Sequence, residues 1–177
     1  VSLTYIPQPG DIGLTQIKGS VGFGIRLGQW MNGDGFADYE HAFVHVGRPH
    51  GEAWDMIVEA EPGGARLVAL DEYDLSRVRW LKCPDQCRAD VAAAALGFIG
   101  VPYSFLDYGY LAVRRFHIPA PHLKALIRTS KHQICSQLSD AAANLGRWHL
   151  FSDNRWEGDV TPGDLNRLWL EQQEADE

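Results

Sequence analysis

At 177 residues, 45% apolar and 11% aromatic, the chain suits a single domain with a real core and is too hydrophobic for a disordered segment. With 16 Lys and Arg against 23 Asp and Glu, a net charge of -7 and no long basic run, it lacks the basic face that phosphate binding needs, so no nucleic-acid partner is expected. No apolar run is long enough to span a bilayer, so no transmembrane segment is expected, and the opening VSLTYIPQPG lacks the charged and apolar regions of a secretory signal.

In chain order, Pro9-Gly10-Asp11-Ile12 reads as a turn into a short strand, and the glycine-rich stretch 19–35 as a loop with a helical turn. Strand patterns follow at 41–47, 53–60, 66–70 and 77–82, separated by Arg48-Pro49-His50-Gly51, Glu61-Pro62-Gly63-Gly64 and the stretch 71–74. Connections this short predict an antiparallel meander. The period then changes to helical at 88–98, 103–115 and 121–128, and again from Ile134 to Gly146. A last helix, entered through Thr161-Pro162-Gly163-Asp164, is expected over 164–170, with the acidic tail 171–177 fraying. Strands first and helices after them make the fold class α+β, a single domain over 1–177, with an antiparallel sheet or partial barrel packed against helices.

Three cysteines, an odd number, do not make a disulfide framework. Cys83 and Cys87 bracket Pro84-Asp85-Gln86, which reads as a strand-to-helix turn carrying two thiols; a metal half-site would need two further ligands at suggestive spacing. Cys135 opens Ile134-Cys135-Ser136-Gln137-Leu138, the first turn of an amphipathic helix in which Ile134, Leu138, Ala141, Ala142 and Leu145 share a face. There the unpaired backbone N–H groups and the helix dipole favour a thiolate. The competing reading is a buried, inert cysteine. A capping box at Ser130 and Gln133 would start the helix earlier and move Cys135 from its end.

Folding the first hairpin about His50 sets His41 opposite Glu59 and His45 opposite Asp55, both on one face. Glu59 would then orient His41 as a base, with Cys135 completing a nucleophilic triad from a helix packed on the sheet. His41 as a surface histidine, and His45 as the base in its place, remain alternatives. A zinc site from His41, His45 and Glu59 is weaker, because strand residues four apart are separated by roughly 13 Å. The aromatic residues Trp30, Phe36, Phe43 and Trp54 fit core positions better than an acyl groove.

These motifs, in this order, resemble the permuted branch of the NlpC-type papain-like cysteine hydrolases, which includes YiiX/YebB-like proteins and the lecithin retinol acyltransferase group. The resemblance rests on Gly10-Asp11-Ile12, His41-Ala42-Phe43-Val44, Val58-Glu59-Ala60 and Cys135-Ser136-Gln137-Leu138, with Gly100-Val101-Pro102-Tyr103 ahead of the cysteine. It spans most of 9–165. Gln137 departs from the acid usual in that motif.

The resemblance implies a circularly permuted papain-like fold and a hydrolase acting on an amide bond, cell-wall peptides being the family's commonest theme. Cys135 is the implied nucleophile, His41 the base and Glu59 its orienter, with the Cys135 N–H and the Tyr103 hydroxyl as candidate oxyanion or substrate contacts; Tyr103 as packing under the helix is the competing role. No metal or organic cofactor is implied. The expected partner is a peptide or an acyl-containing small molecule. Acyl transfer or ester hydrolysis on lipid acyl groups, and a silent binding module of the same fold, are the alternatives.

Overall fold

The computed structural model of the chain describes residues 5–16, 39, 41–61, 64–100, 133–153 and 160–175. The glycine-rich stretch 19–35, Tyr103, and the helices expected at 103–115 and 121–128 lie outside them.

Among the described residues, five strands form one antiparallel sheet: β1 (Ile12–Thr15), β2 (His41–Gly47), β3 (Met56–Glu61), β4 (Gly64–Ala69) and β5 (Arg79–Leu81), in the order β4-β3-β2-β1-β5. Of the four strands expected to make a meander, β2, β3 and β4 do so; the fourth, β5, does not pair with β4 but returns to the free edge of β1. The connection between β4 and β5 crosses one face of the sheet, where Leu70, Tyr73 and Val78 pack on Phe43, Ile57, Val68 and Trp80. That crossing brings Tyr73 over β2 and β3.

The other face is covered by helices: α1 (Arg88–Gly97), α2 (Gln133–Leu145) and α3 (Pro162–Ala175). Even-numbered strand residues Ile12, Leu14, Ala42, Val44, Val58 and Ala60 point to that side and close a core with Val91, Ala95, Leu138 and Ala142. α2 packs on α1, β2 and β3. Its inward stripe is Cys135, Leu138 and Ala142, all fully or nearly fully buried, whereas Leu145, expected on the same stripe, is exposed at the end of the helix. Burying a side chain such as Leu138 contributes about 1.5–3 kcal/mol.

The turn before β1 is held by a buried carboxylate. Asp11 Oδ2 accepts from the Tyr5 hydroxyl at 2.6 Å and the Gln8 N–H at 2.7 Å, while Oδ1 accepts from the Cys83 N–H at 2.9 Å and Arg88 Nη1 at 2.6 Å. One side chain thus ties the N-terminal segment to the end of β5 and the start of α1. Gly10 makes the approach possible: its φ is 93°, and a Cβ there would lie 2.8 Å from the backbone of Arg88.

Cys83 and Cys87 fall in the strand-to-helix turn anticipated for them, as buried free thiols after β5 and before α1.

The last helix differs from expectation at both ends. It begins at Pro162, where Thr161 and Asp164 cap each other: Thr161 N–H and Oγ donate to Asp164 Oδ2 at 2.9 Å, and the Asp164 N–H donates to Thr161 Oγ at 3.1 Å. It also continues to Ala175 through the stretch expected to fray. Gln172 explains the extension, since its amide accepts from the Lys82 N–H at 2.9 Å and donates to the Lys82 carbonyl at 3.0 Å, as a neighbouring strand would. Arg79 adds a second clasp, lying 4.2 Å from the Tyr39 ring and 4.3 Å from the Trp169 ring and donating to Asn166 at 2.8 Å.

Candidate active site

His41, Glu59 and Cys135 meet in the folded chain. His41 is the first residue of β2 and almost wholly buried. Its Nε2 lies 2.7 Å from Glu59 Oε2, and its ring is also hydrogen-bonded to the Cys135 side chain. With Nε2 committed to the carboxylate, Nδ1 is the nitrogen left for sulfur. Cys135 lies in the first turn of the Gln133–Leu145 helix and exposes no surface. Its neighbours fix the backbone: Ser136 Oγ donates to the Val160 carbonyl at 2.7 Å, and Ser139 Oγ donates back to the Cys135 carbonyl at 2.9 Å.

The contact forms in a register other than the one expected. Glu59 pairs with Phe43, Val58 with Val44 and Ile57 with His45, and an irregularity follows between His45 and Gly47. Residues 48–55, including a short 3-10 turn at Pro49–Gly51, make the connection longer than a tight turn at His50. The ladder is therefore displaced by two residues. Because side chains alternate with period two, that displacement keeps Glu59 on the face of His41 and the acid reaches it diagonally.

His45 does not make the expected pair with Asp55. It faces Ile57, and Asp55, outside the strand, accepts from Arg48 Nε at 3.3 Å. Neither His45 ring nitrogen makes a hydrogen bond of good geometry among the described residues, the Gln8 backbone being its strongest polar influence. Burial pushes its pKa down, and the Gln8 backbone and the charges of Asp55 and Asp11 offset only part of this. It is a neutral ring set against the edge of Trp80, 6.1 Å between centroids.

Two residues missed in the sequence complete the surroundings of Glu59. Oε1 accepts from Arg66 Nε at 2.8 Å and Nη2 at 2.6 Å, and Oε2 accepts from the Tyr73 hydroxyl as well as from His41. Arg66 was open to the same arithmetic used for the first hairpin, since with Glu61 paired to Gly64 it falls directly opposite Glu59. Tyr73 had no such signal; it arrives by the crossing of the β4–β5 connection. Its ring stacks beside that of His41, 6.1 Å between centroids and 18° between planes.

The electrostatics follow from these contacts. Burial alone would raise the Glu59 pKa, but hydrogen bonds from His41 and Tyr73, the imidazolium charge and the Arg66 hydrogen bond bring it down to about 2. Burial would likewise depress His41; the charge and hydrogen bond of Cys135, then those of Glu59, outweigh it and raise the ring to about 10. The arrangement favours the imidazolium form of His41, held between the Glu59 carboxylate and the Cys135 sulfur. Chemically it can hold a thiolate beside a proton donor, the starting state for attack on a carbonyl.

Of the aromatic residues assigned to the core, Phe43 is fully buried on this face, whereas Trp54 is exposed and Trp30 and Phe36 lie outside the described residues. None of the helices among the described residues is long and apolar enough to cross a membrane. Comparison with protein-family models, with curated proteins and with solved structures finds no match.

Proposed function

We propose that this chain is a cysteine hydrolase with the permuted papain-like arrangement, cleaving an amide bond in a peptide, with cell-wall peptides as the first substrate class to try. The observation that supports it most is the ring of His41, bonded on one side to Glu59 and on the other to Cys135. In this reading the Cys135 thiolate attacks the carbonyl carbon and the backbone N–H of Cys135 donates to the developing oxyanion. The tetrahedral intermediate collapses as His41 gives its proton to the leaving amine, producing a thioester on Cys135. His41, now neutral, takes a proton from water, which attacks the thioester and releases the acid. Glu59 holds the ring in the Nε2–H form throughout and stabilises its cation. Tyr103 keeps its proposed role as a second oxyanion or substrate contact.

One observation favours a second reading, a silent binding module: Cys135 exposes no surface, so a substrate reaches it only after an opening. Iodoacetamide at near-neutral pH separates the two. An enzyme alkylates at Cys135 much faster than at Cys83 or Cys87, and His41→Ala slows that reaction; equal rates at all three thiols sink the proposal. Incubation with cell-wall peptides and with acyl esters, followed by mass spectrometry of Cys135, then identifies the substrate. A lasting fatty-acyl adduct would move the assignment to a lipid acyltransferase or esterase.

A further inference from the structure

We propose that Arg66 and Tyr73 are positioning residues that set the pH range over which the Cys135–His41 pair is reactive, acting through Glu59. The inference rests on the proposed function above and deepens it. The four ionisable groups Cys135, His41, Glu59 and Arg66 stand in a row of alternating sign, anion, cation, anion, cation, when the sulfur is ionised. Glu59 is fully buried, and a buried carboxylate needs its charge matched and its lone pairs filled. His41 supplies one match. Arg66 supplies the other through two N–H groups on Oε1, its side chain about half exposed at the solvent end of the row.

The consequence is a division of labour between the two carboxylate oxygens. Arg66 holds Oε1, so Oε2 is kept turned toward His41, and the Tyr73 hydroxyl draws on the same Oε2 that faces Nε2. Both donors compete with the imidazolium for the charge of Glu59. Without them the carboxylate would bind the His41 proton more tightly and release it to a leaving group less readily. Arg66 also acts directly, its cation favouring the thiolate and opposing the imidazolium. Its removal therefore moves both titrations of the pair to higher pH. Tyr73 carries no charge, so its loss acts on His41 alone.

The experiment measures two curves on the full chain: the rate of Cys135 alkylation by iodoacetamide from pH 3 to 10, and the ring chemical shift of His41 over the same range. Arg66→Gln is expected to move both midpoints upward by about 0.5–1 pH unit, the size expected for one screened charge. Arg66→Lys, which keeps the cation and loses the two-point grip, should recover more than half of that shift. Tyr73→Phe should raise the His41 midpoint and move the alkylation curve less than Arg66→Gln does.

A purely structural role would lower the melting temperature and leave both curves in place, and curves overlaying the wild type for Arg66→Gln and Tyr73→Phe would overturn the proposal. If Arg66→Gln does not fold, the Arg66→Lys and Tyr73→Phe curves decide. His41→Ala keeps the two levels apart. When it slows alkylation while the other variants match the wild type, only the positioning roles fall; when it leaves Cys135 as reactive as before, the triad itself fails.

Discussion

Glu59 faces Phe43 across the β2–β3 ladder and yet holds His41 diagonally, Oε2 to Nε2 at 2.7 Å. In the proposed mechanism the pairing makes a specific demand on the carboxylate, because Nε2 must donate if Nδ1 is to serve the sulfur. Glu59→Gln meets that demand badly. If the amide N–H₂ group faces His41, Nε2 has to accept and the proton moves to Nδ1, where it blocks the base. If the amide is turned, the same N–H₂ group confronts the two donors of Arg66. Cys135 alkylation is expected to slow by about 100-fold, the usual size of a lost general base. Nitrogen NMR of the His41 ring checks the cause, the variant showing the Nδ1–H form or no fixed tautomer.

Stability should depend on pH through the same pair. The folded state raises His41 from its ordinary 6.5 to about 10, so its contribution is complete below pH 6.5 and is lost as the pH climbs through 10. Glu59 is lowered from 4.5 to about 2, so its contribution is complete above pH 4.5 and is lost as the pH falls through 2. The two together favour a maximum between about pH 4.5 and 6.5. Cys135→Ala removes the strongest influences that raise His41. Urea unfolding across pH 5–10 should show the alkaline loss beginning at lower pH in that variant than in the wild type. Superimposable curves would mean that sulfur and ring are not coupled.

Local pattern made much of this architecture legible, and long-range crossings hid the rest. The strand at 41–47 follows from a short run bounded by turn residues and the helix at 88–97 from its alanine-rich composition, and the face shared by His41 and Glu59 survived a displaced register because the displacement was even. His45 lost its expected partner because the connection 48–55 leaves Asp55 outside the ladder. β5 pairs with β1 across nearly seventy residues of sequence, a choice that no local spacing announces. Tyr73 reached Glu59 by the same crossing, and Gln172 extended α3 by mimicking a strand partner. Arg66 was readable, since its turn and its opposite residue were both in view.

Asp11 is expected to matter for stability and not for chemistry. Each of its oxygens accepts two hydrogen bonds from different segments, and none of its surface is exposed. In Asp11→Asn the amide N–H₂ group must face either the Gln8 or the Cys83 backbone N–H, and neither can turn into an acceptor. Arg88 loses a charged partner at the same time. The expected cost is about 3 kcal/mol, in the range for breaking a buried ion pair. Below its own melting temperature the variant should alkylate at Cys135 with the wild-type pH profile. A change in that profile would instead tie Asp11 to the reactive site.

Gly13 connects packing to the site through one ring. A Cβ added there would lie 2.2 Å from Phe43 Cε2, so Gly13→Ala cannot be accommodated without moving the ring. Phe43 is fully buried, 4.8 Å from Tyr73 and 5.7 Å from Trp80 between centroids, and has little room to retreat. Overpacking of this kind costs typically 1–3 kcal/mol. The displaced ring would press on Tyr73, whose hydroxyl binds Glu59 Oε2, so the His41 titration should shift together with the loss of stability. Phe43→Leu opens the space that the new methyl group needs. In a double-mutant cycle with Gly13→Ala the combined cost should fall below the sum of the single costs by about 1 kcal/mol or more. Strict additivity would place the cost of Gly13→Ala in the backbone of β1, with Phe43 and Tyr73 undisturbed.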